Sequence, residues 1–159
     1  MNVIFLDIDG VLNNVYSASK SKTGCKGIDD DKVYRLKQIV DATHSQLVLT
    51  STWKTDWFPN TPIEDLPIDG QYLVNKLTKF DLHILDKTED KEWALRGDGI
   101  VTWLHNHTNV TNFCILDDET FDYAEEELLP NFVKTKYLDP LGGLQPEHVD
   151  QAIKILSAK

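Results

Sequence analysis

Two aspartates, Asp7 and Asp9, close the apolar run in IFLDIDGVLN near the start of the chain. A run of this kind reads as a buried strand, and its end is a costly place for two carboxylates unless a metal ion or strong donors neutralise them. Two later runs also end in polar residues: QLVL in Thr50 and Ser51, and NFCIL in Asp117 and Asp118. Arg96, in RGDGIVTWL, stands just before the helical segment that feeds the last of these strands. Carboxylates from two strand ends can hold Mg²⁺, a hard cation that prefers oxygen ligands and keeps positions open for a substrate phosphate. A hydroxyl and a guanidinium can then take the remaining phosphate oxygens. One aspartate of the first pair can attack phosphorus while its neighbour gives and later takes a proton.

These groups meet only if the strands that carry them lie side by side and point the same way. Strand-like and helix-like segments alternate along the chain, the pattern of a parallel sheet covered on both faces. The strands are expected at about Asn2 to Ile8, at QLVLT, at LHIL, at NFCIL and at FVKTKYL. Helices are expected from IDDDKVYRLKQIV, from GQYLVNKLTKF, from DGIVTWLHNH, and from Pro146 to about Ser157. In the first of these Val33, Leu36 and Val40 share a face, and Asp29 to Asp31 suit a helix amino end. The fold class is therefore α/β, a three-layer Rossmann-like fold around a central parallel sheet. In such sheets ligands bind at the carboxyl ends of the strands, where all three polar clusters fall.

At 159 residues the chain reads as a single domain, 1–159, with about 53–95 an insertion or elaborated crossover that carries Pro59, Pro62 and Pro67. The 41% apolar and 26% charged fractions are those of a globular protein, and no stretch approaches the roughly 20 apolar residues that span a bilayer. Met1 leads straight into the first strand without a secretory pattern, so a cytoplasmic protein is expected. Cys25 and Cys114 lack metal-ligand spacing and read as reduced and structural. The net charge of −10 disfavours an extended nucleic-acid footprint but leaves room for a local basic patch.

The set of motifs resembles the haloacid dehalogenase (HAD) superfamily of phosphohydrolases. FLDIDGVLN matches its Asp-x-Asp-Gly strand end, LVLTST its hydroxyl motif, Arg96 its basic residue before a helix, and ILDDETFD its acidic motif, in the superfamily's chain order. LTSTW, RGDGIVTWL and ILDD most resemble the small, minimally capped domains related to nucleic-acid end repair. The resemblance implies Asp7 as nucleophile and Asp9 as general acid and base, with the Asp9 carbonyl also on Mg²⁺. It implies Asp118 as the direct metal carboxylate with Asp117 beside it, and Asp122 as holder of a metal-bound water. Thr50 and Ser51 are alternatives for the phosphate-binding hydroxyl, and Lys87 or Lys91 are alternatives to Arg96 as the site cation.

The function these residues imply is a Mg²⁺-dependent phosphomonoesterase working through an aspartyl phosphate. No large cap fits between Asn13 and Leu47 or between Trp53 and Arg96, so the site suits a bulky phosphate such as a nucleic-acid end or phosphoprotein. Alternatives are a small-molecule nucleotide or sugar phosphatase, and a receiver-like or inactive phosphate-binding module. The HNH run at His105 to His107 reads as a helix end rather than a metal site, and LGGLQ as a turn. Trp53 and Trp57 read as packing residues that could also stack on substrate. Lys20, Lys22 and Lys26 read as a solvated loop that could also act as a flap.

Overall fold

In the computed structural model, which describes residues 1–159, the aliphatic runs pair into one five-stranded, all-parallel sheet. The strands are β1 (Asn2–Leu6), β2 (Gln46–Leu49), β3 (Ile84–Lys87), β4 (Asn112–Asp117) and β5 (Phe132–Lys134). Their order across the sheet is β3-β2-β1-β4-β5. Successive side chains of a strand leave on opposite faces, and the central strands are apolar on both. Ile4 and Leu6 of β1, Leu47 and Leu49 of β2, and Cys114 and Leu116 of β4 enter one core; Val3, Phe5, Val48 and Ile115 enter the other.

Three helices cover the first face: α1 (Asp30–Thr43), α2 (Ile68–Thr78) and the last, Pro146–Leu156. They bring Val33, Leu36 and Ile39, then Leu73 and Leu77, then Val149, Ala152 and Leu156 to that core. Helix α3 (Arg96–His105) covers the second face with Ile100 and Trp103, aided by Tyr123 and Leu128 from the loop after β4. The last helix, α4, starts at Pro146 with a reciprocal cap: Gln145 and His148 each bond the other's backbone N–H. No helix is long and apolar enough to cross a membrane.

From β1 the chain moves outward through β2 to β3, then returns through α3 to β4 on the other side of β1. Strand order thus reverses between β1 and β4, which puts the switch point beside Asp7. Flavodoxin-like receiver domains have the order 2-1-3-4-5 instead. The observed order excludes the receiver alternative.

The segment 53–95, expected as an insertion or elaborated crossover, holds most of the 3₁₀ turn Thr52–Asp56, a second one at Ile63–Asp65, the crossover helix α2 and the edge strand β3. β3 begins two residues later than LHIL, because Leu82 N–H bonds the carbonyl of Leu77 and holds Leu82 in the core at the end of α2. β5 is shorter than FVKTKYL. After Lys134 the chain leaves the sheet edge: the Thr135 hydroxyl bonds the carbonyl of Gly10 and the Tyr137 carbonyl accepts from Val15.

Cys25 is exposed and Cys114 buried, and both are free thiols. His107 stacks on Trp103 at 3.7 Å between ring centroids and its Nδ1 lies 2.7 Å from the Trp103 carbonyl, so HNH is a helix-end packing element.

Candidate active site

The strand ladders run one residue past the strand ends. Asp7 N–H bonds Leu116 O, Thr50 N–H bonds Leu6 O, and Thr135 N–H bonds Asp117 O. These bonds place Asp7, Thr50 and Asp117 abreast at the carboxyl edge. Gly10 turns the chain away with φ +89°, and a Cβ there would collide with the Asp118 carboxyl. Only glycine both adopts that backbone freely and leaves room for the approach. Asn13 steadies the turn: its Oδ1 accepts from Gly10 N–H, and its Nδ2 donates to Asp9 Oδ1 at 2.9 Å.

Asp9 is held from a second side by Trp53, whose indole Nε1 donates to Oδ2 at 3.1 Å. Trp53 and Trp57 are both buried in the core. The packing reading therefore holds for each, but Trp53 also orients a carboxyl of the site. The Asp9 backbone carbonyl accepts no hydrogen bond from the protein.

Arg96, the first residue of α3, is the basic side chain that reaches Asp7. Its Nη1 lies 2.7 Å from Asp117 Oδ2 and 3.3 Å from Asp7 Oδ1. Burial works against charge on the guanidinium, but Asp7 and then Asp117 outweigh it and hold Arg96 above its ordinary range. Its Nε is buried without a partner, and the residue lines the cleft. The other two lysines are engaged elsewhere. Lys87 Nζ donates to the carbonyls of Lys54 and Trp57, both at 2.9 Å, and Lys91 pairs with Asp98 on the surface.

The second acidic pair divides its work. Asp117 is fully buried and its oxygens are already filled, by Arg96, by the Tyr123 hydroxyl at 2.7 Å and by Glu119 N–H at 3.0 Å. Asp118 lies half-buried on the cleft wall. Oxygens of Asp7, Asp117 and Asp118 all lie within 4.8 Å of one another. Burial first, and then the Asp117 charge, push the Asp7 carboxyl well above its ordinary range and Asp118 up to about 6. Carboxylates crowded in this way repel one another, and a divalent cation relieves that repulsion. The donor set thus fits Mg²⁺, with Asp7 and Asp118 as the carboxylates still free to ligate it and Asp117 as their support.

The remaining expected residues take these positions. Asp122 lies outside the group formed by Asp7, Asp117 and Asp118, and its two oxygens accept the N–H groups of Gly97 and Asp98, capping the first turn of α3 that carries Arg96. Among the hydroxyls, Thr50 lies abreast of Asp7 with its Oγ1 buried and unpartnered, Ser51 Oγ accepts Trp53 N–H, and the exposed Thr52 adds a hydroxyl to the cleft wall. β2 ends at Leu49, and the 3₁₀ turn that follows carries the hydroxyl run one residue further round. Asn13, Tyr123 and Thr135 carry no local signal in the sequence, since each acts through a contact with a group brought near only by the turn or the sheet.

The cleft measures about 450 Å³ and is lined by Asp7, Asp9, Arg96 and Asp118, with Thr52 and Trp93 among its further walls. A second, more apolar groove near Trp57 and Leu82 contains none of these groups, so chemistry rather than shape picks the site.

A 3-2-1-4-5 parallel sheet with Asp-x-Asp at its switch point, a basic residue on α3 and an acidic pair after β4 defines an HAD-type domain of the phosphohydrolase superfamily. The chain belongs to the family described as the HAD domain in Swiss Army Knife RNA repair proteins, whose model matches residues 3–149. Comparison with curated proteins and with solved structures gave no match.

Proposed function

We propose that the chain is a Mg²⁺-dependent phosphomonoesterase that removes a terminal phosphate from RNA through an aspartyl phosphate on Asp7. The observation that carries the reading is the position of Asp7: a buried carboxylate on the cleft wall, faced by Arg96 at 3.3 Å and crowded by Asp117 and Asp118. Bound by Asp7, Asp118 and the Asp9 carbonyl, Mg²⁺ would offset the repulsion between a carboxylate nucleophile and a phosphate dianion.

Asp7 attacks phosphorus, an Asp7–phosphorus bond forms, and the bond to the leaving oxygen breaks. Asp9, held by Asn13 and Trp53, gives that oxygen a proton. Asp9 then takes a proton from water, which attacks phosphorus, breaks the Asp7–phosphorus bond and releases phosphate. Arg96, charged throughout, and a hydroxyl of the Thr50–Ser51 strand end supply donors to phosphate oxygens as charge shifts onto them, a role supported by the unpartnered Thr50 Oγ1.

The RNA end is supported by the matched family's description and by the absence of a domain inserted over the cleft. Recognition limited to an end also accords with a chain of net charge −10, since few phosphates need be contacted. The test is phosphate release from short oligoribonucleotides phosphorylated at the 3′ or the 5′ end, with Mg²⁺ and with excess EDTA. Mg²⁺-dependent turnover of an RNA end is expected. Turnover of ribose 5-phosphate with neither RNA end cleaved would instead identify a small-molecule phosphatase.

A further inference from the structure

Four tryptophans have different positions in this fold. Trp53, Trp57 and Trp103 are 8%, 7% and 6% exposed and packed in the two cores. Trp93 is 66% exposed and lies on the wall of the cleft that holds Asp7, Asp9 and Arg96. A singly exposed aromatic is ordinary on a surface, but this indole stands on the wall of the cleft, where a bound ring could recover part of the roughly 150–250 Å² of burial an aromatic side chain gains.

Trp93 is also braced from the site floor. The Phe121 ring meets it edge to face, with centroids 5.5 Å apart and planes at 77°, and the Arg96 guanidinium lies 4.2 Å from the centre of that same Phe121 ring. Phe121 adopts φ +41°, a left-handed backbone that a bulky side chain rarely takes and that stores strain where it occurs. A chain of three contacts, Asp7 to Arg96 to Phe121 to Trp93, fixes the indole relative to the attacking carboxylate.

We propose that Trp93 is a stacking platform for the base of the nucleotide that carries the terminal phosphate, an inference that rests on the RNA-end reading above. Every nucleobase offers a π face, so a stack of this kind tolerates sequence while requiring that a base be present. The cleft volume of about 450 Å³ falls within the range of sites that enclose small ligands, room for one nucleotide rather than a duplex. Specificity is then for an end with an intact base, without a long basic track.

The test compares an oligoribonucleotide bearing a terminal phosphate with the same strand whose terminal residue is abasic, and uses acetyl phosphate as a substrate with no ring. Wild type is expected to prefer the intact end in kcat/KM by roughly 5- to 100-fold, mainly through KM, the size that base–aromatic stacking reaches in single-strand binding. Trp93→Ala should collapse that preference to near unity, and Trp93→Phe should retain part of it. Trp93 is exposed, so neither variant should fail to fold. An undiminished preference in Trp93→Ala, or wild type that cleaves both ends equally, overturns the inference and leaves the RNA-end reading intact. Wild type that hydrolyses acetyl phosphate but neither strand overturns the reading and the inference together.

Discussion

The indole N–H of Trp53 donates to Oδ2 of Asp9 across 3.1 Å, although 44 residues separate the two in sequence. A tryptophan that is buried for packing therefore also fixes the orientation of the carboxyl assigned to proton transfer. Trp53→Phe keeps the ring against the core and removes the donor. Its kcat should fall roughly 10-fold, within the cost of a misaligned catalytic group. The loss should shrink with an activated aryl phosphate in a burst assay, since that leaving group needs no proton. An equal loss with every leaving group in the burst phase would show that Trp53 acts on something other than Asp9.

Asp7→Asn keeps the shape of the proposed nucleophile and removes its charge, so turnover should fall by several orders of magnitude and no phosphoryl-enzyme should form. Asp9→Asn removes only the proposed proton donor, a role worth roughly 10²- to 10⁴-fold. An activated aryl phosphate should partly rescue the burst of Asp9→Asn and never that of Asp7→Asn. Detection of a phosphoryl-enzyme in Asp7→Asn would reverse the assignment.

The Asp118 carboxyl, pushed up to about 6 by burial and the Asp117 charge, sets a pH dependence of known sign. Between its ordinary value of 3.8 and about 6 the folded protein holds a proton that the unfolded chain has lost, so this group's contribution to stability falls as pH rises through that window. At neutral pH without metal the crowded carboxylates oppose folding. Asp118→Asn should accordingly raise the urea midpoint of the metal-free protein at neutral pH, with the gain vanishing toward pH 4. Added Mg²⁺ should raise the wild-type midpoint by mass action and the variant's much less. Equal Mg²⁺ stabilisation of both proteins would remove Asp118 from the metal site.

His148 responds in the opposite direction. Burial first, with Lys136 adding to it, lowers its pKa from 6.5, and its Nδ1 accepts Gln145 N–H at the start of α4. Below 6.5 the unfolded chain binds a proton that the folded one resists, so stability is fully present above that value and declines as pH falls through it. His148→Ala should cost about 1 kcal/mol near neutral pH, the usual worth of a helix cap, and the difference between variant and wild type should narrow on acidification. A constant difference across that range would show that the imidazole does not titrate against the cap.

Much of this architecture was legible in the sequence because it is written in local patterns. Alternating apolar runs and 3.6-residue periodicities specify parallel strands and covering helices, and polar residues at the ends of QLVL, IFL and NFCIL specify where a site forms. The amino acids themselves decided that the site is acidic, oxygen-rich and suited to phosphate. What the tertiary structure decided depends on groups far apart along the chain. The ladder bond from Thr50 N–H to Leu6 O set Thr50 abreast of Asp7, and the 3₁₀ turn after β2 turned Ser51 Oγ to Trp53 N–H and added Thr52 to the cleft wall. Docking of α3 chose Arg96 over Lys87 and Lys91 as the partner of Asp7, and drew Asp122 away to cap that helix. The link from Asp9 to Trp53 and the exposure of Trp93 beside Phe121 have no local signature, because hydrogen bonds and stacking between distant side chains exist only after the sheet order has set which loops are neighbours.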